Sequence, residues 1–201
     1  MIVSAHKRTK TETLYRKYGV GAVIADITSD STDSLVQLSP FYPHGDIPIP
    51  FSGEYTAMSV EGIWQGLKVF EKTGIDPQMF RNRIMKNLKR STLHYGKVIG
   101  HQKGVNNQEL LSYLEARLQI YIPSYQWVLE NKVQEIIERL RQATKNKTII
   151  LLDYNTNGDI HNLTQPLSHA ALVKAYVEGA YPFSQTNEKQ ADIPIQPTLW
   201  D

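Results

Sequence analysis

The chain has 201 residues, a length suited to one ordinary domain, and 41% of them are hydrophobic, enough to bury a full core. Lys and Arg total 22 against 20 Asp and Glu, a formal charge of +2, so no global field argues for bulk nucleic-acid or membrane-surface binding, and any basic site must be local. Cysteine is absent, which excludes disulfides, thiolate nucleophiles and cysteine-ligated metals and fits a reducing compartment.

The first residues, from Met1 to Arg8, carry no apolar stretch after their charges, so they do not read as a signal peptide. No window approaches the roughly 18 consecutive apolar residues of a membrane span, and the cytoplasm is the expected compartment. Residues 19–27 read as a strand, rich in β-branched residues around Val20, Val23, Ile24 and Ile27. A polar turn follows at 29–34, then a short strand at 35–38. The next segment holds Pro40, Pro43, Pro48 and Pro50 and is a loop, since proline fits neither a helix interior nor a central strand.

Residues 57–72 read as a helix stopped by Gly74, and Asp76-Pro77 caps a second helix to about residue 89. Residues 97–99 form a short strand and 100–104 a loop. Asn106 or Asn107 caps a helix to about 119. Pro123 opens the longest helix, to about 145, on the spacing of Trp127, Val128, Val133, Ile136, Ile137 and Leu140. The apolar run 148–152 is a buried central strand. A last helix runs from near Pro166 to Gly179. The elements are interspersed without regular βαβ alternation. They imply a single, mostly helical α+β domain with a small sheet over residues 1–180, followed by a polar tail at 181–201.

Four constellations could carry chemistry. On the helix 57–72, Glu61, Trp64, Gln65 and Lys68 stand at i, i+3, i+4 and i+7, hence on one face, with Ser59 as N-cap. An acid, an indole, an amide and an amine on one face suit a polar ligand with a ring. A solvated face with a Glu61–Lys68 or Lys68–Glu71 ion pair explains the same spacing. Gly62 and Gly66 make a flat strip that serves either close ligand approach or tight helix packing.

The loop Ser39-Pro40-Phe41-Tyr42-Pro43-His44-Gly45-Asp46 offers two aromatic rings as a stacking wall, or as buried anchors. Gly100-His101-Gln102-Lys103-Gly104 combines exposed amides with a cation, which suits phosphate or an ordinary connection. Asp153-Tyr154-Asn155-Thr156-Asn157-Gly158-Asp159 follows the buried strand, where sites are frequent and turns also prefer Asn and Asp. Its alternating Asp and Asn imitate a calcium loop, but Gln165 stands near the place of the required glutamate, so calcium is rejected. The six histidines show no ligand spacing, and no metal or cofactor is expected.

The aromatic-proline loop followed by Ser59-Val60-Glu61, Gln65 and Lys68 resembles the NADAR (YbiA-like) superfamily, whose members pair a Ser-Asn-Phe-Tyr-Pro-like loop with a Ser-Val-Glu-x-x-x-Gln-x-x-Lys helix. The resemblance covers about residues 38–70. Pro40 replaces the loop asparagine, and the late Asp-x-x-Trp-Gly motif is absent, with Asp153 as its candidate counterpart. These departures suggest a divergent branch such as the bacteriophage-encoded members.

The resemblance implies a NADAR-like fold and N-glycosidase activity on ribosyl–nitrogen bonds. Members of that superfamily cleave such bonds either in a riboflavin-pathway intermediate or in ADP-ribosylated guanine of nucleic acid; the second is the expected substrate, and the phage branch is associated with reversing toxin-driven ADP-ribosylation. Glu61, Lys68 and Asp153 are then the catalytic candidates. Ser39, Phe41, Tyr42, Trp64, Gln65, His101, Lys103 and Asn155 are the substrate-binding ones. The alternative is a non-catalytic module that binds ADP-ribose, NAD or a partner protein. No membrane or metal partner is expected.

Overall fold

The computed structural model describes residues 1–182 and shows a single-domain α+β fold. Its centre is a small parallel sheet of β1 (Ile2–His6), β8 (Ile149–Asp153) and β2 (Val23–Asp26), in the order β1-β8-β2. Ile149 pairs with Ile2 on one side and Val23 on the other. β8 is the central strand and has a packed cluster on each face, Ile149 and Leu151 in one and Ile150 in the other, which is why Ile149-Ile150-Leu151-Leu152 is a continuous apolar run. Side chains alternate across the sheet. Ile2, Ala25, Ile149 and Leu151 join the main core, whereas Ala5 and Ile150 pack with Leu14 of helix α1 (Thr11–Tyr18). Because the strands are parallel, their carboxyl ends, at His6, Asp26 and Asp153, gather at one edge, where open sheets present sites.

The remaining strands are short. β3 (Ile47–Pro48) and β4 (Thr56–Ala57) form a hairpin, and β5 (Lys68–Phe70), β6 (Val98–Gln102) and β7 (Leu110–Leu111) form an antiparallel sheet. Between them stand α2 (Val60–Gly66), α3 (Pro77–Phe80) and α4 (Thr92–Tyr95). The chain then runs without interruption through α5 (Tyr113–Ala116), a π-helical turn (Arg117–Tyr121) and α6 (Ile122–Asn131), and continues in α7 (Gln134–Asn146) and α8 (His169–Val177). No helix among the described residues is long and apolar enough to cross a membrane.

Several elements differ from the sequence reading. Residues 35–38 lie in a 3-10 turn, Ser34–Leu38, whose N-cap Asp33 accepts from the Leu35 amide, so the expected strand is absent. The helix expected to reach residue 72 ends at Gly66. There the buried Arg90 guanidinium donates to the carbonyls of Gln65 (3.2 Å) and Lys68 (2.5 Å), and the chain turns into β5. The helix at Asp76-Pro77 keeps its cap but lasts four residues. Residues 100–102 belong to β6 rather than to a loop, and the next helix is capped by Ser112 in a capping box with Glu115, not by Asn106 or Asn107. The helix read as 123–145 breaks at Lys132 and Val133. β1 and α1 were not anticipated.

Pro123 accounts for the π-turn. It has no amide to offer Gln119, and its ring crowds that carbonyl, so the preceding turn widens. At the other end of the domain, Tyr181 is buried and donates to the Ile122 carbonyl at 3.0 Å, so the fold extends past residue 180. The rest of the expected tail, 183–201, lies outside the described residues.

Candidate active site

A cleft of about 550 Å³ opens at the carboxyl edge of the parallel sheet. One wall is α2. Ser59 caps it by accepting from the Gly62 amide at 3.0 Å, which sets Glu61 in the first turn. The glycines of this helix face α3. A Cβ on Gly62 would stand 2.7 Å from the Met79 carbonyl oxygen, and one on Gly66 would stand 2.1 Å from the Phe80 ring. They serve tight packing, which presses α2 against α3 and leaves Glu61, Trp64 and Gln65 for the cleft.

Glu61, Gln65 and Lys68 form a relay. Gln65 Nε2 donates to Glu61 Oε1 at 2.8 Å, and Lys68 Nζ donates to Gln65 Oε1 at 3.1 Å. Lys68 is in β5 rather than on the helix, so its link to Glu61 runs through the amide of Gln65. Burial pushes the Glu61 carboxyl above its usual range, against the Gln65 hydrogen bond and the nearby Lys68 charge. Burial likewise pulls the Lys68 ammonium below its usual range, against Glu61 and with help from Arg90 and Lys89. The two groups are drawn toward neutrality from opposite sides, a pattern that marks acid–base sites.

Trp64 forms the aromatic floor. Its ring lies 3.8 Å from that of His101 and meets Tyr113 and Tyr121 edge-on at 5.7 and 5.6 Å. Lys68 Nζ stands 5.8 Å from the indole. Phe41 borders the cleft on the loop that Ser39 holds by accepting from the Phe41 amide at 3.3 Å. The Glu61 amide donates to the Pro40 carbonyl at 2.8 Å, which ties that loop to α2.

The opposite wall comes from β8 and the segment after it. Asp153 Oδ2 accepts from Ser168 Oγ (2.6 Å) and the Ala170 amide (3.2 Å) and lies 3.1 Å from His169 Nδ1, while Oδ1 accepts from the Tyr154 amide (2.6 Å). Burial alone would raise this carboxyl, but the bonds from His169, Ser168 and Ala170 win and hold it below its usual range. His169 Nε2 also faces the Ile27 carbonyl at 3.0 Å. Asp153 thus pins the start of α8 and orients His169, which lines the cleft. Oδ2 is taken by three neighbours and Oδ1 by the Tyr154 amide alone, so these contacts give Asp153 a positioning role at a place in the cleft where a catalytic one was expected.

Three other expected contacts are corrected. His101 is fully buried behind Trp64, and burial plus the Lys68 charge push it down to about 3, so it cannot meet phosphate as a cation. Lys103 pairs with Glu109 at 3.1 Å and lies over the Phe51 ring, away from the cleft lining. Tyr42 packs against His44 with ring centroids 4.8 Å apart and does not line the cleft. Ser39, Phe41, Glu61, Trp64, Gln65, Lys68, Asp153 and Asn155 do line it.

The sequence reading missed Tyr121, Arg117 and His169. The π-turn delivers the first two to the cleft, a common place for such a turn. Tyr121 is held neutral, first by burial and then by the charges of Glu61 and Asp153, so its hydroxyl is a donor. Arg117 is buried and donates to the carbonyls of Ile160, Asn162 and Gln165, while Asn157 Nδ2 donates to those of Asn162, Gln165 and Pro166. Asn155, Asn157 and Asp159 accept in turn from the amides of Asn157, Asp159 and His161, so the alternating run is a series of Asx turns. No group of three or more His, Asp or Glu among the described residues is placed to hold a metal ion.

No curated protein matches the chain. Residues 6–173, which include β2, β8, both walls of the cleft and the first half of α8, match the model of a family of unknown function, DUF6939. The protein therefore belongs to the DUF6939 family.

Proposed function

We propose that this protein is an N-glycosidase that hydrolyses a ribosyl–nitrogen bond, with ADP-ribosylated guanine in nucleic acid as its substrate. The observation that carries the reading is the Glu61–Gln65–Lys68 relay in the wall of an aromatic-lined cleft. The relay residues are those on which the resemblance to the NADAR superfamily rests, and that resemblance supports both a NADAR-like fold and a phage counter-defence role.

The chemistry follows from the groups present. As the C1′–N bond lengthens, positive charge develops on the ribose, and the Glu61 carboxylate stabilises it. Water adds to C1′ and gives its proton to Glu61, a base strengthened by burial. The departing nitrogen takes a proton from Lys68, an acid made stronger by the same burial. Trp64 and Phe41 stack on the base, and the Tyr121 hydroxyl donates to a sugar or phosphate oxygen. The test is one preparation given ADP-ribose by calorimetry and an ADP-ribosylated oligonucleotide in a release assay. Binding with release supports the glycosidase. Binding without release would make the protein a non-catalytic ADP-ribose module.

A further inference from the structure

Charge is segregated along this chain. Between Asp76 and Glu109 there is no Asp or Glu, while Arg81, Arg83, Lys86, Lys89, Arg90, Lys97 and Lys103 all fall within that stretch. It carries +7 in a chain of net +2, which leaves −5 for everything else. Two of the seven are engaged: Lys103 pairs with Glu109, and Arg90 is buried on backbone carbonyls. The other five, Arg81, Arg83, Lys86, Lys89 and Lys97, are exposed and make no ion pair among the described residues. Outside the segment the charges are mixed: Lys7 sits between Asp26 and Asp30, and Arg139, Arg141 and Lys174 each meet a glutamate.

The basic segment is also fixed beside the cleft. Asn82 closes its turn by donating to the Lys86 carbonyl at 2.8 Å and accepting from the Ile84 amide at 3.0 Å. Arg90 ties the following residues to the end of α2, the helix that carries Glu61, and Lys89 borders the cleft itself. A segment carrying five free cations thus reaches, at Lys89, an opening walled by Trp64, Phe41 and Tyr121. Cations that track a phosphate backbone, next to aromatic faces that take bases, are the pairing by which single strands are held.

We propose that residues 81–97 form a docking surface for the phosphodiester backbone of a single-stranded nucleic acid, placing one of its bases in the cleft. The choice of partner rests on the reading of the cleft given above. The cations and their freedom from acidic partners do not. Exposed Ile84 and Leu93 lie in the same segment, so an anionic membrane is the competing partner.

The probes are an unmodified, fluorescently labelled oligonucleotide about 12 nucleotides long, and vesicles of phosphatidylcholine with phosphatidylserine. Anisotropy is measured over a range of salt for the parent and for Arg81→Gln/Arg83→Gln/Lys86→Gln, which leaves every cleft residue and Asn82 in place. Each lost phosphate contact lowers the slope of log K against log salt by about 0.7 for a single strand, so the triple variant should lose about 2. Release of ADP-ribose from a modified mononucleoside should be unchanged in that variant. The surface is refuted if the parent does not bind the oligonucleotide, if the triple variant keeps the parent slope, or if the parent prefers the vesicles. Salt-dependent oligonucleotide binding without release on any substrate would remove the glycosidase and leave the surface standing.

Discussion

Asp153 offers a direct test of how the site is held together. Its side chain is 3% exposed and receives Ser168 Oγ, His169 Nδ1 and the amides of Tyr154 and Ala170. Asp153→Ala leaves these donors buried and unpaired, a change that costs about 3–5 kcal/mol when one partner of a buried charged network is removed. At about 2–4 °C per kcal/mol for a chain of this size, the melting temperature should fall by roughly 6–20 °C. Asp153→Asn keeps one carbonyl oxygen. It can satisfy the α8 donors only by turning its amide nitrogen toward the Tyr154 amide, so about 1–3 kcal/mol should be lost. The folded carboxyl lies below its ordinary value of 3.8, so this stability is present above that value and disappears as pH falls below it. Urea unfolding at neutral pH and near pH 3, with thermal melts alongside, measures all three. If Asp153→Asn melts like the parent yet loses activity, Asp153 acts in the chemistry and the positioning role is wrong.

Three further outcomes are expected. The profile of kcat/KM against pH should be a bell narrowed from both sides, its acid limb above the ordinary glutamate value of 4.5 because Glu61 must be ionised, and its alkaline limb below the ordinary lysine value of 10.5 because Lys68 must be protonated. Lys68→Met should lower the rate and abolish the alkaline limb, and a limb that survives assigns it to another group. Lys103→Ala should leave the affinity for ADP-ribose unchanged, because Lys103 pairs with Glu109 outside the cleft, and a selective loss for phosphate-bearing ligands by calorimetry would place it at the site.

Local signals were the legible ones. Ser59-Val60-Glu61 reads as a capped helix start because the cap and first turn need only neighbouring residues, and the buried strand with Asp153 at its end reads from its apolar run. What depended on distant partners was hidden. β1 is stable because Ile2 to His6 pair with Ile149 to Asp153, which nothing near the N-terminus announces. The end of α2 at Gly66 is set by Arg90, and the flat glycine strip by Met79 and Phe80. His101 looks like an exposed loop histidine until β6 places it behind Trp64. Histidine spacing could not reveal His169, since its role comes from Asp153, sixteen positions earlier, and the Ile27 carbonyl. The π-turn that brings Tyr121 and Arg117 to the cleft was signalled only by Pro123, which marked a helix start equally well.

The measurement that bears most directly on the glycosidase is single-turnover release of ADP-ribose from a modified oligonucleotide by the parent and Glu61→Gln. The amide keeps the oxygen that accepts from Gln65 Nε2, so the relay geometry persists while charge and basicity vanish. Burial raises the folded Glu61 carboxyl, so its ionisation weakens the fold as pH rises, and Glu61→Gln should melt no lower than the parent at neutral pH. Ligand affinity by calorimetry should hold, because the loss is confined to the transition state. The release rate should fall about 10²–10⁴-fold, the range of a general base, or roughly 3–5 kcal/mol of barrier at 1.36 kcal/mol per tenfold. A variant that folds, binds and releases ADP-ribose at the parent rate would contradict the assignment of Glu61 and the N-glycosidase reading built on it.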